Sequence, residues 1–205
     1  MRFWTAEQAR QYLSATADDR LAWVWALLLT RGARRGEVCG LKWYDLDLDA
    51  GTWRVTRTRI VVGGKAVEST PKTAAGRRVV PLDASLVTKL RAYRAVQATE
   101  KLAAGPAYQD AGWLFCDELG VPYYPDSMST WFDRKVKALG IPRIRLHDCR
   151  HTAASIMLAS GRPARVVGEL IGHASPSVTL AVYGHLMPGA TEEAGAALSA
   201  SLLGS

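Results

Sequence analysis

LHDCRHTAASIMLAS, residues 146–160, is the stretch that joins the chemistry of this chain to its fold. Cys149 and Ala153 lie four residues apart and begin an apolar stripe, which predicts a helix with one buried side. His147 and Arg150 are three residues apart and therefore share a neighbouring face of the same helix. The sequence thus predicts a core helix that carries an imidazole and a cation beside its buried stripe.

The segments around this helix predict a mainly helical domain. Caps and apolar periodicity predict further helices over residues 5–14, 20–30, 34–41, 81–103, 127–139, 163–171 and 177–183, and a tail helix over 190–205. Alternating β-branched residues predict strands over residues 52–56, 65–70 and 77–80, the last two joined by a tip at 71–76. We therefore expect an α+β fold, mainly α, with a small three-stranded antiparallel sheet.

The predicted helix over residues 20–30 differs from its neighbours because it is apolar almost all round. Asp18 and Asp19 are its expected cap. A helix without a polar face is either buried in the core or covers a neighbour that is missing. The sequence leaves both alternatives open.

The length and charge of the chain limit the number of domains and the kind of partner that we expect. A chain of 205 residues is long enough for one sizeable domain, and we expect one. Hydrophobic residues make up 48% and charged residues 22%, an ordinary globular composition that argues against wholesale disorder. Lys and Arg number 26 against 19 Asp and Glu, a formal charge of +7. This balance favours a polyanionic partner, although only clustering of the charges on one face makes a nucleic-acid footprint.

The cysteines and the apolar runs bear on location. Cys39, Cys116 and Cys149 are odd in number and widely spaced, so neither a disulfide framework nor a zinc site is indicated, and a reducing compartment is the simpler interpretation. The longest apolar run, residues 21–29, is too short to span a bilayer, and residues 1–4 lead directly into a helical pattern. We expect a cytoplasmic protein that does not associate with a membrane.

Arg150, His173 and Tyr183 supply groups for attack on a phosphodiester. The planar guanidinium of arginine binds two phosphate oxygens at once and stays protonated. A free phenol has a pKa of about 10, so Tyr183 needs nearby cations and an imidazole to act as a nucleophile. Ordinary alternatives remain open for each group: a surface ion pair for Arg150, a helix cap for His147 and a packing role for Tyr183.

Two upstream segments complete the inventory of such a site. Arg34 is the candidate for a second cationic clamp, and Glu37, three residues on, is placed to hold it by a charged hydrogen bond. Lys72 lies on the predicted hairpin tip, from which a lysine can reach a docked substrate and protonate the leaving sugar oxygen. By itself, the segment around Arg34 is equally typical of an exposed basic turn. Lys72 by itself is typical of a lysine that keeps a surface turn soluble.

Metal and nucleotide chemistry are not indicated. His147 and His151 have the i, i+4 spacing of a zinc helix, but the residues between them lack the Glu of a metalloprotease motif and place Arg150 where a dication would sit. No glycine-rich run ends in Gly-Lys-Ser or Gly-Lys-Thr, so the sequence has no phosphate loop for ATP. We expect no metal and no cofactor.

Taken in order, these segments resemble the catalytic domain of the tyrosine recombinases of the phage-integrase family. The resemblance runs from about residue 5 to residue 186 and rests on four motifs: TRGARRGE at 30–37, PKT at 71–73, LHDCRHT at 146–152, and IGHAS at 171–175 continued by VYGHL at 182–186. Ala33 and Cys149 depart from the family pattern, which usually has larger apolar residues there. That departure affects packing beside the site rather than its chemistry.

The resemblance implies a role for each matched position. Tyr183 is similar to the nucleophile that forms a 3′-phosphotyrosyl link, and Arg34 and Arg150 are similar to the pair that clamps the phosphate. Because such a link stores the energy of the broken bond, rejoining of strands needs neither ATP nor a metal.

Three further positions take their roles from the same resemblance. Lys72 is similar to the acid that protonates the 5′ oxygen, His147 to the proton-transfer histidine, and His173 to the histidine that binds the phosphate or the leaving group.

The implied activity is site-specific recombination of double-stranded DNA, in integration or excision, by a tetramer assembled on DNA from chains that are monomers in solution. Only 33 residues precede Arg34, so we expect residues 1–205 to be the catalytic domain without the family's N-terminal DNA-clamping domain. The tail over 190–205 either folds back as a core helix or docks onto a second protomer. A topoisomerase with the same tyrosine chemistry and a catalytically silent DNA-binding module are the alternative functions.

Overall fold

The structure is a computed structural model that describes residues 2–71, 76–173, 175–183 and 190–204. Its helices, in chain order, are α1 (Ala6–Ala15), α2 (Ala22–Arg31), α3 (Arg35–Cys39), α4 (Ala84–Ala104), α5 (Pro125–Leu139), α6 (Asp148–Ala159), α7 (Ala164–Ile171), α8 (Pro176–Tyr183) and α9 (Ala190–Leu203). Its strands are β1 (Leu46–Asp47), β2 (Thr52–Val55), β3 (Thr58–Val62), β4 (Lys65–Ser69) and β5 (Arg78–Pro81). The predicted class, mainly helical with small antiparallel sheets, is confirmed.

The first two helices begin in different ways. α1 has the predicted capping box, in which Thr5 Oγ1 accepts from the Gln8 N–H and the Gln8 side chain accepts from the Thr5 N–H. The cap predicted for α2 was wrong, because Leu21 occupies its N-cap position and no side chain caps it. Asp19 contributes its main-chain carbonyl instead, which accepts from the Ala22 N–H at 2.8 Å.

α2 is buried on all sides, so it is a core helix and does not cover a missing neighbour. Every residue from 23 to 29 is buried. The helix packs mainly against α6 and α4, with further contacts to α1 and α3. Its apolar circumference is therefore explained by neighbours that this chain itself provides.

An aromatic cluster ties the N-terminal segment to α5 and α6. The rings of Trp4, Tyr12 and Phe132 pack with centroids 5.2 to 5.5 Å apart. The Trp4 N–H donates to Thr152 Oγ1 at 3.1 Å, and the indole N–H donates to the Pro142 carbonyl at 2.7 Å. Because Thr152 belongs to α6, this cluster holds in place the helix that carries the LHDCRHT motif.

The pairing of the strands differs from the prediction. β1, β2 and β5 form a three-stranded antiparallel sheet, in which buried Trp53 lies opposite buried Val80. The predicted strand over residues 65–70 corresponds to β4, but β4 pairs with β3 in a separate two-stranded hairpin. Pairing of residues 65–70 with 77–80 across the tip was therefore wrong, and β3 was missed.

Gly63 and Gly64 give the physical reason for this difference. They form a two-residue connection in register with Val62 opposite Lys65, and their φ angles are 55° and 75°. Positive φ at both residues matches the right-handed twist of two flanking strands, which makes such a glycine pair a strong hairpin signal. β5 pairs with β2 instead, which buries Val80 in the core.

The tail forms α9, whose leucines are largely exposed. The exposed fractions of Leu198, Leu202 and Leu203 are 61%, 73% and 82%. The alternative in which the tail folds back as a core helix is therefore wrong for these side chains. Among the residues that the structure describes, none of the helices combines the length and apolarity needed to cross a bilayer.

Candidate active site

A buried carboxylate, Glu37, organises the site. It lies in the first turn of α3 with 1% of its surface exposed, and it accepts the Arg34 main-chain N–H at 2.9 Å and the Arg34 guanidinium at 2.7 Å. Both terminal nitrogens of Arg78 also donate to it, at 2.8 and 3.0 Å. The predicted Arg34–Glu37 contact is confirmed, and one carboxylate holds two guanidiniums.

Glu37 is ionised despite its burial. Burial opposes the charged form, but the hydrogen bonds and charge of Arg78, and then those of Arg34, outweigh it and hold the pKa of the Glu37 carboxyl below its usual value. The side chain of Arg78 is only 8% exposed, and its Nε–H donates to the Leu170 carbonyl at 2.9 Å. The carboxylate thus links α3, β5 and the end of α7.

Arg34 reaches from α3 to the loop after α7. Its second terminal nitrogen donates to the Gly172 carbonyl at 2.6 Å, and 36% of its side chain remains exposed. Gly172 ends α7 in the left-handed conformation, with φ of 75°, which turns its carbonyl and the following residue towards the site. Arg34 is therefore held at two points while part of its guanidinium still faces solvent.

Arg150 is buried in the core of the site and is not a surface ion-pair residue. Only 4% of it is exposed, and one terminal nitrogen donates to the carbonyls of Gly32, at 2.8 Å, and Ile171. Its other terminal nitrogen is buried, and none of the residues that the structure describes accepts a hydrogen bond from it. Burial, and then the charge of Arg34, lower the pKa of Arg150 to about 9, which leaves it protonated at neutral pH.

Tyr183 is the last residue of α8 and is 1% exposed. Its ring packs in a small apolar cluster with Ala154, Leu158 and Ile171, and its hydroxyl hydrogen-bonds to Nδ1 of His151. Burial raises the pKa of Tyr183 to about 12, with the positive charge of Arg150 opposing the rise. The phenol is therefore placed beside the buried cation but remains protonated at neutral pH.

His173 stands next to the phenol and is held by a threonine. Its Nδ1 makes a 2.8 Å hydrogen bond with the hydroxyl of fully buried Thr179, and its ring lies parallel to that of Tyr183 at 6.5 Å between centroids. Burial, followed by the charges of Arg150 and Arg34, lowers the pKa of His173 to about 4. The imidazole is neutral at pH 7, and the bond to Thr179 fixes its orientation.

His147 lies at the mouth of the site, at the N-cap of α6. It borders a cavity of about 400 Å³ whose other lining residues include Arg35, Arg143 and Arg145. Its ring is perpendicular to that of His151, with 5.3 Å between centroids. The proton-transfer role expected for His147 stays a prediction, because the hydroxyl of Tyr183 is bonded to the neighbouring imidazole.

The remaining predicted residues are placed as follows. Lys72, the expected acid, lies outside the described residues. Ala33 and Cys149 are 3% and 1% exposed, consistent with a packing role beside the site. No cluster of three or more His, Cys, Asp and Glu side chains that could hold a metal ion occurs within the described ranges.

Sequence reasoning missed three residues of this arrangement: Arg78, His151 and Thr179. His151 was considered only as a zinc ligand. Arg78 lay within a predicted strand, and the spacing of the chain contains no signal that it would meet a carboxylate 41 positions earlier. These contacts arise between elements that are remote in sequence.

A family of DNA-acting proteins matches these motifs and this arrangement. The model of the phage integrase family matches residues 2–189, and the chain belongs to that family. A XerC-like tyrosine recombinase of Caldanaerobacter subterraneus is 33% identical over 89% of this chain and 50% of its own length. The chain spans about half the length of the curated relatives it matches.

Solved structures share the fold. The XerA recombinase superposes with a TM-score of 0.70 and 25% identity, over 94% of this chain and 63% of that one. The Tn1549 transposon integrase, in a complex with transposon right end DNA, superposes with a TM-score of 0.77 and 22% identity, over 98% of this chain and 66% of that one.

Glu37→Gln should destabilise the protein by about 3 to 5 kcal/mol, because two guanidiniums would lose their buried counter-charge. Urea unfolding at pH 7 measures the change. Glu7→Gln is the matched control, since the Glu7–Arg10 pair is 77% and 68% exposed and should contribute less than about 1 kcal/mol. Equal losses in the two variants would contradict the role given to Glu37.

Stability should fall as the pH drops from 6.5 towards 4, in part through His173. The pKa of His173 is 6.5 in the unfolded chain and about 4 in the folded protein. Between these two pH values the unfolded state therefore binds more protons than the folded state. The free energy of unfolding consequently rises with pH in that range. His173→Gln should therefore show a shallower dependence of the urea midpoint on pH between 4 and 6.5. Parallel curves for the two proteins would show that His173 titrates normally.

Proposed function

We propose that this chain is the catalytic domain of a site-specific DNA recombinase of the integrase type. It cleaves and rejoins strands of double-stranded DNA through a 3′-phosphotyrosyl link formed by Tyr183, without ATP or a metal. The observation that carries the proposal is a buried tyrosine on whose phenol the charge of buried Arg150 acts, together with a terminal nitrogen of that arginine for which the described residues supply no acceptor. A recombinase needs a nucleophile and a cationic phosphate site at this place.

The unused donor of Arg150 supports a phosphate site. A buried N–H without an acceptor costs about 1 to 3 kcal/mol, and more on a charged group. A non-bridging phosphate oxygen would satisfy it and would gain a charge-assisted hydrogen bond. Arg34, held by Glu37 and partly exposed, would contact the same phosphate from the solvent side. The two guanidiniums would then stabilise the charge that develops during transfer.

The other predicted residues complete the proposed chemistry. His173 would bind the phosphate or the leaving group through its Nε2, since its Nδ1 is bonded to Thr179. His147 would act at the mouth of the site, and Lys72 would protonate the 5′ oxygen. These roles come from the family resemblance, and the neutral state of His173 at pH 7 suits it for either hydrogen-bonding role.

A DNA substrate agrees with the net charge of the chain and with the arginines of the cavity that His147 borders. The formal charge is +7, and the cavity bordered by His147 is lined with three arginines, Arg35, Arg143 and Arg145, against one aspartate, Asp133. Each of these arginines also forms an ion pair with an aspartate, which DNA phosphates would compete with. The Tn1549 integrase was solved in complex with transposon right end DNA, and the XerH recombinase was solved bound to its palindromic difH substrate. A DNA substrate is also consistent with the expected cytoplasmic location.

The tail helix is proposed to dock onto a second protomer, in a tetramer assembled on DNA from monomers. Leu198 and Leu202 support this proposal, since they lie four residues apart on one face of α9 and are exposed. Exposed leucines on one helical face are typical of an interaction surface.

Tyr183→Phe should abolish covalent adducts with DNA and leave DNA affinity nearly unchanged. Nicked suicide duplexes with a randomised sequence around the nick serve as probe, and adducts are resolved on denaturing gels, with mass mapping of the modified peptide. Tyr44→Phe is the control, because Tyr44 is 65% exposed and lies outside the site. Wild-type protein without any adduct would overturn the proposal, and an adduct on another residue would remove Tyr183 from its role.

Replacing Leu198 and Leu202 by Glu should weaken assembly on DNA while leaving the urea midpoint of the free protein unchanged, since both side chains are exposed in it. Analytical ultracentrifugation with and without duplex DNA measures the assembly. Unaltered assembly in the double variant would refute docking of the tail onto a neighbouring protomer.

A further inference from the structure

The hydroxyl of Tyr183 is bonded to a histidine that the family resemblance does not assign to the chemistry. The partner is Nδ1 of His151, the residue that follows Arg150 in α6. We infer, on the basis of the proposed function, that His151 is the general base that takes the phenolic proton when Tyr183 attacks the phosphate. A nucleophile and a base within hydrogen-bond reach are the arrangement that this role requires.

A base is needed because the phenol does not ionise by itself. With its pKa raised to about 12, Tyr183 is ionised in only about one molecule in 10⁵ at pH 7. The cation of Arg150 opposes the rise but does not cancel it. Transfer of the proton to a neighbouring group during attack removes the need for a free phenolate.

His151 is in the protonation state that a base requires. Burial, and then the charge of His147, lower the pKa of His151, so its ring is neutral at pH 7. Of the other described groups that act on it, Asp148 favours the charged ring, and Arg150 and Arg145 oppose it. His173 faces it from the loop after α7, and Tyr183 faces it from the end of α8. A neutral ring that accepts at Nδ1 carries its proton on Nε2.

The geometry separates the two histidines of the motif. His147 borders the cavity that Arg35, Asp133 and Arg143 also line, whereas His151 contacts the phenol of Tyr183. Successive residues of a helix point about 100° apart, so α6 directs Arg150 into the core and His151 towards α8. One helix thereby supplies both the phosphate clamp and the base.

The proposed step conserves atoms and charge. As the Tyr183 oxygen forms its bond to phosphorus, its proton passes to Nδ1 of His151, the bond from phosphorus to the 5′ oxygen breaks, and the 5′ oxygen takes a proton from the general acid. In the rejoining step a 5′ hydroxyl attacks, its proton returns to the acid, and the imidazolium returns its proton to the departing Tyr183 oxygen. No oxidant or metal takes part in this exchange.

The test compares single-turnover cleavage of the nicked suicide duplex by wild type, His151→Gln and His147→Gln between pH 7 and 9. A base with a lowered pKa is already deprotonated there, so wild type and His147→Gln should give flat profiles. His151→Gln should be slower by about 10²- to 10⁴-fold at pH 7 and should gain about tenfold per pH unit, because only the phenolate would then attack. A flat profile for His151→Gln, or loss of the flat profile in His147→Gln, would overturn the inference.

Chemical rescue gives a second readout that a structural role would not move. His151→Ala should recover part of its cleavage rate when imidazole is added, whereas His147→Ala should not. Equal unfolding midpoints of the two variants would show that folding is not the cause of any difference. Absence of rescue in a folded His151→Ala protein would count against the base role.

Nitrogen NMR of the imidazoles tests the hydrogen bond without any cleavage. The chain has 4 histidines, so their signals can be assigned by single substitutions. We expect His151 to be neutral with its proton on Nε2 at pH 7, and Tyr183→Phe to raise its pKa, because the bond to the neutral ring is lost. A proton on Nδ1 of His151 would overturn the inference, whether or not the wild type forms an adduct. A wild type that forms no adduct would refute the proposed function, which is a separate result.

Discussion

The ionised carboxylate of Glu37, buried between Arg34 and Arg78, is the interaction on which the site depends. It accepts three guanidinium contacts and a main-chain N–H, and so joins the start of α3 to β5 and to the end of α7. A buried carboxylate is stable only when it is paired and fully hydrogen-bonded, so these elements are held in one arrangement. Arg150 then enters the space between the ends of α2 and α7, where it donates to the Gly32 and Ile171 carbonyls and pairs with no carboxylate of the described ranges.

This arrangement leaves positive charge uncompensated at the place where a phosphate is proposed to bind. Arg34 and Arg78 share the Glu37 carboxylate, whereas Arg150 donates to main-chain carbonyls and has one donor that no described residue accepts. The core formed by α2, α6 and the aromatic cluster keeps that guanidinium in position before any substrate arrives. Such preorganisation avoids the cost of reorienting dipoles or water during the reaction. The same burial keeps Tyr183 protonated, and His151 is hydrogen-bonded to the phenol, where the proposed mechanism requires a proton acceptor.

Much of the fold follows from local signals. The capping box of α1 and the caps and apolar periodicity of the longer helices predict their positions closely, because each signal lies within a few residues of the element that it specifies. Strand pairing was predicted less well. The glycine pair at 63–64 specified a hairpin locally, but nothing local specified that β5 would pair with β2 across more than twenty residues.

The sequence alone determined the types of chemical group and their order along the chain: Arg34 with Glu37, then Arg150, then His173 and Tyr183. Those groups follow from residue identity and from spacing within single helices. Only the tertiary structure decided which of them touch. Arg78 contacts the Glu37 carboxylate because the packing of β5 places it within reach of α3, and His151 contacts the phenol of Tyr183 because α8 packs beside α6. Contacts between segments that are remote in sequence are set by the shared core, and they leave no periodic pattern in the sequence.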